Sequence, residues 1–459
     1  MAAADPQQPT NAVAHRPRAV VFAVLPPASR EAGGDPLAEI RELVRSAELD
    51  LVGEVVQYRE TPAARSYLGR GKLEELARAV RDLGATVAVC EDDLTPAQVA
   101  AVLDVVDADV LDRTELILSV FSRHAHSMEG TLQVHLAQLE YELTRMRGKG
   151  HLLSRLGAGV DMRGPGETKL EVDRRVVRRR IQQLRRRIAE MARTRRTQRA
   201  RRLQAGVPLI ALAGYTNAGK STLLNALTDA DVPVRDRLFE TLDPTSRAFR
   251  YRDRDYVITD TVGFIRKLPH QLVDAFASTL EETTLADLVL VVADASLDPA
   301  EIAARQETVA ETLELIGSTA PRLLVFNKID RLDAGRLARL RALYPEAQFI
   351  AAAHGVGLDR LQARIADFFD RQLVPVTLLV PYTDAGLVAR LRGVASDLRQ
   401  RHTAEGIVVE ARLPLAEAGR CARYRLDAAA PPRGRGGDGD GHGRPEETDD
   451  SDGGAAADA

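Results

Sequence analysis

The sequence contains no tryptophan, only two cysteines, and aromatics at 4% of residues. Two thiols, Cys90 and Cys421, cannot build a disulfide framework, so a reducing compartment is expected. Long apolar runs are missing as well. Even Leu288 to Ala293 is of strand length, far short of a bilayer span. No charged-then-apolar leader opens the chain. These absences exclude a secreted disulfide scaffold and a helical membrane protein, and the expectation is a cytoplasmic protein with no membrane partner. Lysine is nearly absent too. Of 63 basic residues six are lysine: Lys72, Lys149, Lys169, Lys220, Lys267 and Lys328. Where arginine fills the surface, a retained lysine suggests a site at which a compact ammonium cannot be exchanged for a planar fork.

What is present suits a multidomain globular chain. The 459 residues are 45% hydrophobic, enough for several cores. The net charge of −3 hides segregation: Arg174 to Arg202 is dense in arginine, and the tail after about residue 436 is acidic. A polyanion is the expected partner of the basic part.

Six segments follow from composition and periodicity. Residues 1–17 are expected to be disordered. Residues 18–130 alternate strand and helix patterns, which predicts a small parallel α/β domain. Thr95-Pro96 reads as an N-cap followed by proline at the first helical position. Over 131–206 the period becomes helical. Leu132, Leu136, Leu139, Leu143 and Met146 step by four and three, as do Val177, Ile181, Leu184, Ile188 and Met191. Two such seams joined by the Gly-rich stretch Gly157 to Gly166 predict an antiparallel helical hairpin. Residues 207–371 carry short apolar runs of the kind that form buried parallel strands. Residues 372–428 read as a small β-α-β-β unit, with a helix from about Gly386 to Arg401 and strands at Ile407–Leu413 and Ala422–Leu426. The Gly/Asp/Glu/Pro-rich 429–459 is expected to be disordered.

The chemistry sits in 207–371. Gly214, Tyr215, Thr216, Asn217, Ala218, Gly219, Lys220 and Ser221 fit the P-loop pattern, after a strand and before a helical stretch. Its glycines let backbone N–H groups approach phosphate oxygens at a helix N-terminus. Lys220 is placed to contact the β- and γ-phosphates, and Ser221 to bind Mg²⁺. Asp260, Thr261, Val262 and Gly263 follow the next strand. There Asp260 would reach Mg²⁺ through water and the Gly263 N–H would sense the γ-phosphate. Asn327, Lys328, Ile329 and Asp330 end another strand. The Asp330 carboxylate can accept from N1–H and the amino group of guanine. Adenine offers neither donor, so a GTP/GDP site follows. Between P-loop and Asp260 lie Phe239, Glu240, Thr241, Leu242 and Asp243, where a first switch belongs. Thr241 is the candidate for the second Mg²⁺ ligand from protein, with Thr245 the competitor. Phe264 stands where many switch GTPases place a glutamine to orient the attacking water. Slow hydrolysis in isolation is expected. Asn217 is of a type that could hold K⁺ near the phosphates.

The order of these motifs resembles the translation-factor-related GTPases, specifically the HflX family. Further segments similar to that family are Tyr67 to Lys72, Asp112 to Leu118, Glu129 to Val134, Arg163 to Glu171, Phe239 to Pro244 and Gly263 to Pro269. The resemblance spans about residues 18–428. The resemblance implies a P-loop GTPase domain with a mostly parallel sheet. It is preceded by the α/β domain and the long hairpin, and followed by a small α+β domain. It also implies association with the large (50S) ribosomal subunit and its rRNA, splitting or rescue of stalled ribosomes under stress, and hydrolysis stimulated by the ribosome. A monomer is expected. Two departures stand out. The last guanine loop of the family reads Ser-Ala, whereas here the matching stretch is Ala351, Ala352 and Ala353. The Gly-rich linker is interrupted by Ala158 and Asp161, and an acid is unfavourable beside rRNA phosphates. Arg155, Arg163 and Lys169, with the arginines of 174–202, suit phosphate contacts that weaken with salt. A solvated coiled-coil face is the competing reading. Lys72 could bind RNA or a second nucleotide, or simply begin a helix. The alternative functions are a regulatory switch recruiting a protein effector, or an RNA-remodelling NTPase.

Overall fold

A computed structural model describes residues 16–30, 35–156, 165–205, 207–228, 238–239, 245–252, 254–267, 269, 272 and 277–426. The first unit alternates as read. Its elements are β1 (Arg18–Leu25), α1 (Ala38–Ser46), β2 (Asp50–Tyr58), α2 (Arg70–Asp82), β3 (Val87–Cys90), α3 (Pro96–Leu103), β4 (Asp109–Leu111) and α4 (Arg113–His124). The strands pair in parallel in the order β2-β1-β3-β4. Both faces of β1 are buried. Val20, Phe22 and Val24 pack in one cluster with residues of α2, and Ala19, Val21 and Ala23 in another with residues of α1 and α4. That is why β1 reads as a continuous apolar run rather than an alternating one. Thr95 caps α3 through a reciprocal box with Gln98: the Gln98 N–H donates to Thr95 Oγ1 at 3.3 Å and the Thr95 N–H to Gln98 Oε1 at 2.9 Å.

The hairpin is built of α5 (Met128–Leu156) and α6 (Pro165–Ala205). Leu132, Leu136, Leu139 and Leu143 meet Val177, Ile181, Leu184 and Ile188 in one apolar seam. Arg185 reaches across it to Glu140 at 2.7 Å. The root of α5 is tied to α4, where Tyr141 donates to Asp112 and Arg145 pairs with Glu115 at 2.5 Å. Residues 157–164, including Arg163, lie outside the described residues, as do the side chains of Arg155 and Lys169.

The third unit comprises β5 (Leu209–Gly214), α7 (Lys220–Thr228), β6 (Thr245–Tyr251), β7 (Arg254–Asp260), α8 (Ala277–Thr284), β8 (Leu288–Asp294), α9 (Pro299–Leu315), β9 (Arg322–Asn327), α10 (Ala334–Leu343), β10 (Gln348–Phe349) and α11 (Leu358–Asp370). The sheet order is β10-β9-β8-β5-β7-β6, parallel except for β6. The edge strand β6 escapes a sequence reading because only Phe249 of its side chains is buried.

The last unit has β11 (Leu373–Val380), α12 (Gly386–Leu391), β12 (Ser396–Thr403), β13 (Gly406–Pro414) and α13 (Leu415–Arg420), with an antiparallel sheet ordered β11-β13-β12. It corrects two expectations. The helix from Gly386 stops at Leu391, not Arg401, and the chain turns through Gly393 into β12. This strand is an edge with Arg399, Gln400, Arg401 and His402 all exposed, so it shows no apolar alternation. Nor is Ala422–Leu426 a strand. It is a 3-10 turn over Ala422–Tyr424, with one isolated bridge between Arg425 and Leu378. The run after Cys421 turns on itself, the Tyr424 N–H donating to Cys421 O at 2.9 Å, and meets the sheet only at its end, where the Leu426 N–H donates to Thr377 O at 2.8 Å.

Candidate functional site

The P-loop joins β5 to α7 at the carboxyl end of the central strand, where ligands bind in open α/β sheets. Burial of Leu212, Ala213, Leu223 and Leu224 clamps both flanks of the loop. Gly219 sits at φ +91°, and a Cβ there would meet Asn327 Nδ2 at 2.3 Å, so only glycine fits. Asn327 staples the site together: its Nδ2 donates to the Ala218 carbonyl at 3.0 Å, and its Oδ1 accepts from the Ala352 N–H at 3.0 Å. Lys328 braces the loop as the sequence suggests. Its Nζ donates to the Asn217 carbonyl at 2.7 Å and pairs with Asp294 at 2.8 Å. Partial burial of Asp294 pushes its carboxyl up, yet Lys328 and Ser296 outweigh this and hold it below its ordinary range.

Lys220 is buried, and its ammonium donates to the Gly214 and Tyr215 carbonyls at 3.3 and 3.2 Å. Burial lowers its pKa, against the opposing pull of Asp260. Ser221 Oγ donates to Asp260 Oδ2 at 2.6 Å. A hydroxyl and a carboxylate in contact form a hard-oxygen pair of the kind Mg²⁺ takes beside phosphate oxygens. Among the described residues no group of three or more His, Cys, Asp or Glu could hold a metal.

Beyond Asp260 the side chains diverge. Thr261 donates to the Leu212 carbonyl at 2.7 Å and Val262 is buried, so both serve the fold. Gly263 lies so close that a Cβ would stand 2.8 Å from Thr216 Cγ2 and 3.0 Å from Lys220 Nζ. Phe264 exchanges backbone hydrogen bonds with the P-loop, its N–H to Gly214 at 3.1 Å and its carbonyl from Thr216 at 2.8 Å. Its ring is buried in an apolar cluster. Asp330 is 3.6 Å from His354. In the adjoining loop the Ala351 N–H is bonded to Val356 O at 3.0 Å, and that of Ala352 is bonded to Asn327. Ile329 opens the 3-10 turn that presents Asp330. Glu240, Thr241, Leu242 and Asp243 lie outside the described residues, whereas Thr245 sits on β6 directly opposite Asp260.

Family models match three consecutive pieces of the chain. They are a GTP-binding GTPase N-terminal region over residues 34–122, a GTP-binding GTPase middle region over 124–202, and a 50S ribosome-binding GTPase domain over 209–328. A GTPase HflX of Caldanaerobacter subterraneus subsp. tengcongensis is 41% identical over 396 residues, covering 86% of this chain and 90% of that relative. The chain belongs to the HflX family of GTPases. The GTPase HflX of Escherichia coli is 39% identical over 389 residues, covering 83% of this chain and 91% of its own. Among solved structures, a GTP-binding protein of the archaeon Sulfolobus solfataricus in complex with GDP is 25% identical, with a TM-score of 0.40, over 76% of this chain and 98% of that one. As an HflX GTPase the protein binds and hydrolyses GTP, and dependence on Mg²⁺ comes with that class of enzyme. The donor pair of Ser221 and Asp260 fits the ion.

In this HflX chain the first unit packs directly on the nucleotide site. Tyr215 of the P-loop donates through its hydroxyl to Glu39 of α1, and the same hydroxyl accepts from the Arg266 N–H at 2.9 Å. Glu39 also receives Arg113, which is 1% exposed and reaches the Arg266 carbonyl at 3.1 Å and Glu91 at 3.1 Å. Lys267 pairs with Asp92. Phe239 rests on Phe121 of α4, ring centroids 4.4 Å apart, and the Leu238 N–H donates to Ser46 at 3.0 Å. Apolar residues of α1 and α4 share one continuous core with Phe239, Phe264 and Ile265. Sequence reasoning missed Glu39, Ser46, Arg113, Phe121 and Asp294. Glu39 and Tyr215 are 176 residues apart, and no local spacing links them. The one available signal was a charged pair, Asp112-Arg113, beginning an apolar helix.

Proposed function

We propose that this GTPase binds the large ribosomal subunit and its rRNA through the helical hairpin, hydrolyses GTP slowly alone and faster on the ribosome, and splits or rescues stalled ribosomes under stress. The observation that carries the reading is the hairpin. Its two helices bury a leucine and isoleucine seam and turn an arginine-dense face outward. The stretch that joins them at the tip is glycine-rich in sequence, and small residues suit entry into a narrow RNA-walled space. Arg155, Arg163 and Lys169 are the proposed phosphate contacts near that tip, and the name of the matching 50S ribosome-binding GTPase domain supports the partner.

At the nucleotide the proposed roles are those the sequence motifs suggest. Backbone N–H groups of Gly214 to Ser221 cradle the phosphates, with Lys220 on the β- and γ-oxygens. Ser221 and Thr241 would hold Mg²⁺, with Asp260 assisting through water, and Asn217 would hold K⁺. The Gly263 N–H senses the γ-phosphate, and Phe239 to Asp243 form the first switch. Asp330 reads guanine N1–H and the amino group. Because the Ala351 and Ala352 N–H groups already have partners, the contact to guanine O6 falls to Ala353. Phe264 supplies no hydrogen-bonding group for the attacking water, which leaves stimulation to the ribosome. Cytoplasmic location and a monomeric state are part of the proposal. An effector reading is disfavoured, because Phe239, Phe264 and Arg266 are occupied by the chain's own first unit.

Co-sedimentation with purified 50S and 30S subunits, in GTP, GDP and a non-hydrolysable analogue, tests this. Binding to 50S that is strongest with the analogue is expected. No binding to 50S in any nucleotide state would defeat the reading.

A further inference from the structure

The last unit, residues 373–426, has no part in the nucleotide site. It carries eight arginines and no lysine against five acids, within a chain that is net negative. Three of those arginines line one cleft. Arg390, Arg420 and Arg423 converge with Asp384 and Tyr424 on a cavity of about 490 Å³. The guanidiniums are held in place. Glu417, 4% exposed, accepts from Arg420 and lies 3.8 Å from Arg390. Tyr424 donates to Asp384, and Arg423 sits 4.0 Å from that same carboxylate. Two carboxylates thus orient three guanidiniums, leaving one positive charge in excess. The forks stay accessible, at 58%, 46% and 76% exposure. Each guanidinium carries five donors in a fixed fork.

An aromatic platform adjoins the cleft. Tyr382, next to the lining residue Thr383, is 51% exposed. Its hydroxyl donates to the Thr403 carbonyl at 2.7 Å, and its ring lies nearly parallel to His402, 14° apart in plane. Beside it the edge strand β12 exposes Arg399, Gln400 and Arg401, with Arg392 bonded to Gln400 at 3.1 Å. Arginine forks suit phosphate oxygens bidentately, and a fixed aromatic face stacks any base. A protein-docking core would be more apolar and less charged.

We propose that this unit is a second RNA contact: single-stranded RNA runs along β12, with a base on Tyr382 and a backbone phosphate between Arg390 and Arg423. The inference deepens the ribosome reading and rests on it only for where that RNA comes from. Cross-linking tests it on the full chain. A 5-iodouridine oligoribonucleotide is irradiated with the protein, and the modified peptides are mapped by mass spectrometry across a salt series. Cross-links within residues 382–402 are expected. Arg423→Ala should lower their yield about tenfold and reduce the salt slope by about one, while cross-links in residues 128–205 persist. Arg423→Lys should recover the slope but not the full yield. Cross-links confined to 128–205, or a yield at 382–402 indifferent to Arg423→Ala, would overturn the proposal. So would competition at 382–402 by inorganic phosphate as strong as by RNA, which would mark a small-anion site. If subunits still co-sediment while 382–402 stays unmodified, this inference falls and the ribosome reading stands.

Discussion

Removing one hydroxyl should loosen the segment from Val262 to Lys267 that follows Asp260. Tyr215→Phe keeps the ring, which is 4% exposed and lies under Arg305 at 4.5 Å. It deletes two hydrogen bonds at once, the one given to the Glu39 carboxylate and the one taken from the Arg266 N–H at 2.9 Å. A bond to a charged acceptor contributes about 1.5–3 kcal/mol and a neutral one about 1 kcal/mol. The Arg266 amide can recover part of this from water, so the net loss should be about 2–3 kcal/mol. The amide itself is the reporter. Hydrogen–deuterium exchange of a peptide covering 262–267, with the first unit present, should accelerate roughly 30- to 150-fold in the variant, since each 1.4 kcal/mol is tenfold. Glu39→Gln should give a similar effect, and the double variant should fall short of the sum by at least about 1 kcal/mol, because both act through one contact. Acceleration under about threefold, or strict additivity, would refute the claim that Glu39, Tyr215 and Arg266 form one node.

Three further outcomes follow. Gly263→Ala places a methyl 2.8 Å from Thr216 Cγ2 and 3.0 Å from Lys220 Nζ. Overpacking of this kind costs about 1–3 kcal/mol, so analogue affinity should fall at least fivefold and GDP affinity much less. Equal losses in fluorescent-nucleotide titrations would contradict the γ-phosphate role of Gly263. Asp330→Asn should weaken GTP on the order of 10- to 100-fold and favour xanthosine triphosphate, because the amide now offers a donor to a base carbonyl. Unchanged base preference in competition binding would remove Asp330 from the guanine site. Burial lifts the Glu91 carboxyl to about 7, with Arg113 and Lys267 opposing the rise. A raised folded-state pKa means the protonated form is favoured by folding. Its stabilisation is complete below the unfolded value of 4.5 and is lost as pH climbs through about 7. That is a contribution on the order of 3 kcal/mol. Thermal melts should therefore show Glu91→Gln with a flatter decline between pH 5 and 8 than the parent, and parallel curves would argue against it.

Local patterns carried much of this fold into the sequence. The seam of Leu132, Leu136, Leu139 and Leu143 is legible because a helix repeats its buried face every three to four residues. The strands β1, β5 and β8 are legible because burial on both sides makes them uniformly apolar. Edge strands failed for the opposite reason: β6 and β12 bury little, so Thr245–Tyr251 and Ser396–Thr403 look like loops or helix ends. At the site, the segments holding Lys220, Asp260 and Asn327 could be read because each lies at the end of a strand in a fixed pattern. The node of Glu39, Arg113 and Tyr215 could not, since its members come together only when two separately encoded sheets pack against each other. The same holds for the division of labour in the last guanine loop. There Val356 takes the Ala351 N–H and the Asn327 side chain takes that of Ala352.

The account stands most directly on whether the ribosome completes a GTPase that has Phe264 where a water-orienting group is common. Steady-state GTP turnover should be measured in Mg²⁺ and K⁺ with the chain alone, with purified 50S subunits, and with 30S subunits. The account predicts slow turnover alone, at least a tenfold rise with 50S, and no rise with 30S. Turnover that is equally fast with and without 50S would contradict it.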